Sequence, residues 1–151
     1  MRIVVDDLRG PRIARFLQDH LDHMREITPE GSVHALDLDA LRAPGVTFWT
    51  VLDGDEVVGC GALKRLDDTE GEIKSMRSHP DRRRTGIGAL VLEHILAEAR
   101  NAGLSRLSLE TGATEFFVAA RSLYARYGFE PCGPFGDYGD DPHSAYLTRA
   151  L

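Results

Sequence analysis

The residue pattern predicts an α/β (α+β) chain: a mixed sheet of about seven strands with helices on its faces. Three observations carry this. Val46-Thr47-Phe48-Trp49-Thr50-Val51-Leu52, then Asp53-Gly54, then Val57-Val58 form a β-hairpin signal, so part of the sheet is antiparallel. Downstream, the segment Gly71 to His79 reads as a strand stopped by Pro80, a basic glycine-containing turn follows, and a helix and another strand come after it, which makes a βαβ crossover. Finally, Arg106-Leu107-Ser108-Leu109-Glu110 and two short segments after Phe129 supply further strands.

In chain order, Arg2-Ile3-Val4-Val5 reads as the first strand. Pro11 onward, with Ile13, Phe16, Leu17, Leu21 and Met24 at helical spacing, reads as an amphipathic helix. A shorter helix covers Leu36 to Arg42 and stops at Pro44-Gly45. Gly59 and Gly61 inside the second hairpin arm suggest a bulge. Glu72 to Ser78 is a strand entered from the Asp67-Asp68 turn. Ile87, Leu90, Val91, Ile95, Leu96 and Ala99 predict a helix closed near Gly103. Ala119 to Tyr127 predicts another, with Gly128 in the C-cap position. The tail holds two strands split by the Pro134 to Pro142 loop, giving the order β-α-α-β-β-β-α-β-α-β-β.

Composition limits the function classes. The 151 residues suit one domain covering 1–151, and 42% hydrophobic with 28% charged residues suits an ordinary globular protein. Glu93 and His94 interrupt the most apolar helix, so no membrane span is expected. The start of the chain meets Asp6-Asp7 after three apolar residues, unlike a secretory signal. Cys60 and Cys132 lack metal-ligand spacing and read as reduced thiols, which points to the cytoplasm. A net charge of −6 argues against a nucleic-acid surface built on Arg82 to Arg84 and in favour of a small anionic ligand there. His20 and His23 share a helix face without a third ligand, so they read as a solvated face and no metal is expected.

The run Arg82-Arg83-Arg84-Thr85-Gly86-Ile87-Gly88 is the strongest chemical signal. A turn between a strand and a helix aims backbone N–H groups and the positive end of a helix dipole at one point, which is a phosphate-binding arrangement. The three arginines add charge-assisted contacts. Taken in isolation, a solvated basic loop that merely starts a helix is the favoured reading; the position between strand and helix raises the odds of phosphate binding, and the rest of the chain decides.

Two motifs then converge. Arg83-Arg84-Thr85-Gly86-Ile87-Gly88 resembles the Q/R-x-x-G-x-G/A pyrophosphate loop of the GNAT superfamily of acyl-CoA-dependent N-acetyltransferases. Ala120, Leu123-Tyr124 and Gly128-Phe129 resemble that family's A-x-x-L-Y-x-x-x-G-F helix end. The two lie about 40 residues apart with a strand between them, and the order of elements matches over nearly the whole chain. The resemblance implies the GNAT fold, a mostly antiparallel sheet in which the strand before the loop and the strand after the long helix form a splayed parallel pair. It implies acetyl-CoA as co-substrate and no metal. It also implies direct acetyl transfer to a primary amine of a small molecule or a peptide. The alternative is a GNAT-like module that binds acyl-CoA without chemistry. A homodimer is common in the family.

The same resemblance assigns residues. The backbone of Arg84 to Gly88, with Arg83 before it, would hold the pyrophosphate, the glycines letting the chain approach closely. Met76, Arg77 and Ser78 would pair through their main chain with the pantetheine arm, and the Met76 N–H would face the thioester oxygen. Tyr124 would protonate the leaving thiolate, since a phenol keeps its proton at neutral pH. Glu72, 11 residues before Arg83, would be the base, directly or through a water. Lys74, two residues on, could instead simply pair with it and make it a poorer base, and Glu110 is the alternative. Many relatives carry Asn where this chain has Phe117, which suggests an apolar wall near the acyl group. Met24 to His34 and Tyr138 to Asp141 are the expected acceptor-facing segments, with Asp22, Glu26 and Glu30 read mainly as surface charge.

Overall fold

Seven strands form one sheet in the order β1-β2-β3-β4-β5-β7-β6. In the computed structural model, which describes residues 1–27, 38–82 and 84–151, these are β1 (Arg2–Val5), β2 (Val46–Asp53), β3 (Glu56–Arg65), β4 (Glu70–Ser78), β5 (Arg106–Gly112), β6 (Glu130–Cys132) and β7 (Ser144–Ala150). The helices are α1 (Pro11–Ile27), α2 (Leu38–Leu41), α3 (Ile87–Asn101) and α4 (Val118–Arg126). The expected order is therefore found, with short 3₁₀ turns added at Pro80–Arg82 and Glu115–Phe117. Glu30, His34 and Arg83 lie outside the described residues.

The helices cover opposite faces of the sheet. Ile87, Val91, Leu92, Ile95, Leu96 and Ala99 of α3 pack with Val51, Leu63, Ile73, Leu107 and Leu109. Ile13 and Leu17 of α1 and Leu41 of α2 pack with Phe48, Cys60 and Ala62 on the other face. Each Leu, Ile, Val or Phe among them, fully buried, contributes about 1.5–3 kcal/mol. Among the described residues, no helix is long and apolar enough to cross a membrane.

Two irregularities shape the sheet, and the first is the bulge expected in the second hairpin arm. Between β2 and β3, Val51 faces Gly59 and Leu52 faces Val57, so Val58 is the extra residue. Between β3 and β4, Cys60 faces Arg77 and Ala62 faces Lys74, so Ser75 and Met76 on β4 oppose the single Gly61. Ser75 takes the left-handed conformation at φ 56°, and the bulge kinks β4 just where it enters the cleft. Gly59 and Gly61 serve a different end, because α3 passes directly over them. A Cβ on Gly59 would lie 2.5 Å from Ile87 Cγ2, and one on Gly61 2.6 Å from Val91 Cγ1. Gly59→Ala is therefore expected to cost about 1–3 kcal/mol of stability by overpacking, read as a lower urea midpoint at unchanged slope.

The kink has a functional consequence. β4 and β5 run parallel but pair only from Glu70–Ile73 to Arg106–Leu109. Beyond that they part, β5 continuing on β7 as far as Gly112 paired with Ser144. The β5-facing edge of β4 from Lys74 to Ser78 is left without a strand partner.

Candidate active site

The parting of β4 and β5 opens a cleft of about 1290 Å³ walled by α1, β4, the start of α3, the Glu115–Phe117 turn and α4. Met76, Arg77, Ser78, Arg84, Gly86, Ile87, Gly88, Glu72, Glu110 and Tyr124 all line it. Thr85 adjoins it in the same turn.

The turn before α3 is conformationally demanding. Arg84 has φ 63° and Gly86 φ 88°. The first ladder bond of α3 is Leu90 N–H to the Gly86 carbonyl at 3.0 Å, so the N–H groups just before it point out of the helix end. Nothing stands within 4 Å of where a Gly86 Cβ would be. This open, left-handed backbone at a helix N-terminus, beside an unpaired strand edge, fits the phosphate and amide chain of an acyl-CoA. Gly88 does otherwise, since a Cβ there would press on Leu123 at 3.0 Å, and its role is to let α3 approach α4. The Thr85 hydroxyl is spent inside the turn, donating to the Arg82 carbonyl.

The arginine triplet is not uniform. Arg82 Nη1 reaches Asp53 Oδ2 at 2.8 Å and its Nη2 reaches Glu56 Oε2 at 3.5 Å. It ties the turn to the β2–β3 hairpin and is no longer a spare cation for a ligand, correcting the expectation that all three arginines serve phosphate.

Tyr124 is fixed twice. It lies near the end of α4, where Phe129 N–H returns to the Tyr124 carbonyl at 3.1 Å and Gly128 N–H to Ala125 at 3.0 Å, with Gly128 at φ 88°. Its ring meets Phe129 edge-on at 5.8 Å. Burial pushes the phenol up to about 12, against the nearby Arg77 charge, while the Glu110 carboxylate adds to the rise.

Glu72 is 3% exposed. Tyr138 donates its hydroxyl to Glu72 Oε2 at 2.7 Å, and Lys74 Nζ stands 3.5 Å from the same oxygen and 5.9 Å from the Tyr138 ring centre. Both sequence readings of Glu72 thus meet in one arrangement: it lines the cleft and is paired. Burial, with the Glu72 carboxylate second, raises the Tyr138 phenol far above its usual range. Tyr138 comes from the Pro134 to Pro142 loop, packed against Phe135 and Tyr146 at 5.2 and 5.7 Å. The family resemblance marked Tyr138 to Asp141 as acceptor-facing, but no sequence signal singled out Tyr138 as the partner of Glu72. Glu110 lies half-buried on β5 in register with Tyr146.

Opposite stands α1. His20, His23 and Met24 are half-buried against the cleft, and His23 stacks on Phe116 at 5.3 Å. The solvated face expected of the two histidines is therefore a cleft wall. Asp22 and Glu26 are exposed. Phe117 lines the cleft and lies on Gly112, where a Cβ would sit 2.0 Å from the ring. Among the described residues, no three metal-ligating side chains gather.

Comparison with known proteins agrees with this geometry. The acetyltransferase (GNAT) family matches over residues 13–129. The uncharacterized N-acetyltransferase YsnE of Bacillus subtilis is 48% identical over 100% of both chains. The IAA acetyltransferase of Azospirillum brasilense is 43% identical over 89% of this chain and 88% of its own. A GNAT acetyltransferase of Elizabethkingia anophelis, solved with acetyl-CoA bound, superposes at a TM-score of 0.71 with 21% identity, covering 99% of this chain and 97% of that one. Splayed strands, a glycine turn at a helix start and a buried tyrosine thus occur together on a chain that belongs to the GNAT family and is an acetyltransferase.

Proposed function

We propose that this chain, as a single domain over 1–151, transfers an acetyl group from acetyl-CoA directly to a primary amine of a small molecule. The carrying observation is the unpaired β4 edge ending beside the open backbone at Gly86, with Glu72 and Tyr124 both lining the same cleft. Reduced thiols at Cys60 and Cys132 favour the cytoplasm as its place of work.

Acetyl-CoA supplies a thioester whose acyl carbon is open to attack by a neutral amine. The main chain of Arg84 to Gly88 holds the pyrophosphate, and Met76 to Ser78 align the pantetheine arm. The Met76 N–H donates to the thioester oxygen as charge develops on it. Glu72 takes the proton that the amine nitrogen loses on forming the N–C bond, directly or through a water. Its Oε2 is held by Tyr138 and Lys74, leaving Oε1 to receive the proton. Tyr124 gives its proton to the sulfur as the C–S bond breaks.

Calorimetric titration with acetyl-CoA, paired with coenzyme A release across an amine panel, tests this reading. Binding together with turnover is expected. No heat on titrating acetyl-CoA into folded protein would sink it.

Gly86→Val sharpens the test. A β-branched residue at φ 88° is strained by about 1–3 kcal/mol, and its side chain would enter the open space over the turn. Acetyl-CoA Kd is expected to rise by about 10-fold or more, with far smaller change in the amine KM. Unchanged Kd would mean that the pyrophosphate lies elsewhere.

A further inference from the structure

Arg77 has a side chain that the transfer chemistry leaves without a task, since only its main chain serves the pantetheine arm. It pairs in register with Cys60, and Lys74 pairs with Ala62. Cys60 and Ala62 belong to the cluster under α1 and α2, so both cations stand on the α1 side of the sheet, with Glu72. The Arg77 guanidinium turns back on its own strand, its Nη1 lying 3.4 Å from the Met76 carbonyl. Its Nε is sealed from water and has no acceptor, and among the described residues no carboxylate forms an ion pair with it. Burial opposes its charge, while Cys60, Tyr124 and Glu110 lie close enough to influence it. An Arg donor buried without an acceptor is costly, and its planar fork is the natural match for a carboxylate.

Resting on the acetyl-CoA-dependent transfer described above, we propose that Arg77 is the specificity residue of the acceptor site and that the acceptor amine also carries a carboxylate. Arg77, with Lys74 beside it, receives the carboxylate, while Glu72 faces the amine. Two groups of opposite sign on one small molecule then fix its direction, presenting nitrogen and not the carboxylate to the acyl carbon. The chamber's mixed charge suits a zwitterion better than a polyamine, which would leave the guanidinium facing another cation.

The test compares the twenty α-amino acids with their decarboxylated amines at saturating acetyl-CoA. For the amino acids turned over, wild-type kcat/KM is expected to exceed that of the decarboxylated counterpart by about 10-fold or more. Arg77→Gln should bring that ratio towards one, mainly through amino-acid KM, and Arg77→Lys should restore part of it. The wild-type ratio needs no variant to fold, so even-handed turnover of both series, or turnover of neither, overturns the proposal by itself. A ratio that survives in Arg77→Gln also overturns it. So does a loss of acetyl-CoA affinity in that variant with the ratio intact, which would assign the guanidinium to a carbonyl of the acyl-CoA. Calorimetry on the same preparations separates the two readings: absent acetyl-CoA binding removes the transferase assignment, whereas binding with indifferent turnover removes only carboxylate recognition.

Discussion

Tyr124→Phe is expected to lower kcat by about 10²–10⁴-fold while leaving the acetyl-CoA Kd nearly unchanged. The substitution removes one hydroxyl and keeps the ring that packs on Phe129, so the fold should tolerate it. Burial holds the phenol's pKa at about 12, so the donor stays neutral and keeps its proton through neutral and mildly alkaline pH. Wild-type kcat should therefore show no loss of this acid until pH approaches that value. The sign for stability follows. A phenol that ionises near 10 when unfolded and near 12 when folded stabilises the fold fully below about pH 10. That contribution fades as pH rises towards the folded value, and Tyr124→Phe should blunt this part of the alkaline loss. Steady-state kinetics over pH, with isothermal titration of acetyl-CoA, checks both halves. Unchanged kcat would remove Tyr124 from the chemistry.

Tyr124 also shows why much of this site is legible in sequence. Its place depends on local rules, an amphipathic helix followed by a left-handed glycine, and these leave marks a few residues apart. The same holds for the hairpin, for α3 and for the turn at Gly86. Gly59 and Gly61 mark the limit. Glycines inside a strand signal a bulge or a close approach alike, and only the position of α3, set by packing across the chain, decides for close approach. The second bulge falls on Ser75 and Met76 of β4, and Ser75 does not announce its left-handed backbone in the sequence. Tertiary position likewise decided the charges. Arg82 looks like its neighbours in sequence, yet it meets Asp53 and Glu56 because the hairpin returns beside it. Tyr138 reaches Glu72 across 66 residues of chain, and no periodicity encodes such a contact. His20 and His23 had the spacing of a shared face, but spacing could not say that the face borders a cleft.

Glu72→Gln carries the second large effect, a fall in kcat of about 10²-fold or more, again with acetyl-CoA affinity retained. Glutamine takes the carboxylate from Lys74 as it removes the proton acceptor, but it keeps the shape and can still accept from Tyr138. Alanine would confound it further, leaving the Tyr138 hydroxyl without this acceptor. Glu110→Gln is the necessary counterpart, because Glu110 lines the same cleft. With Glu72 as base, Glu72→Gln should lower kcat far more than Glu110→Gln does. Lys74→Met should mainly raise the acceptor KM, because Lys74 stands beside Arg77 on the acceptor side. The reverse pattern, a large fall in kcat in Glu110→Gln and a small one in Glu72→Gln, would transfer the base to β5. Glu72 would then be the buried anchor of Tyr138 and Lys74, holding the acceptor loop over the parted strands.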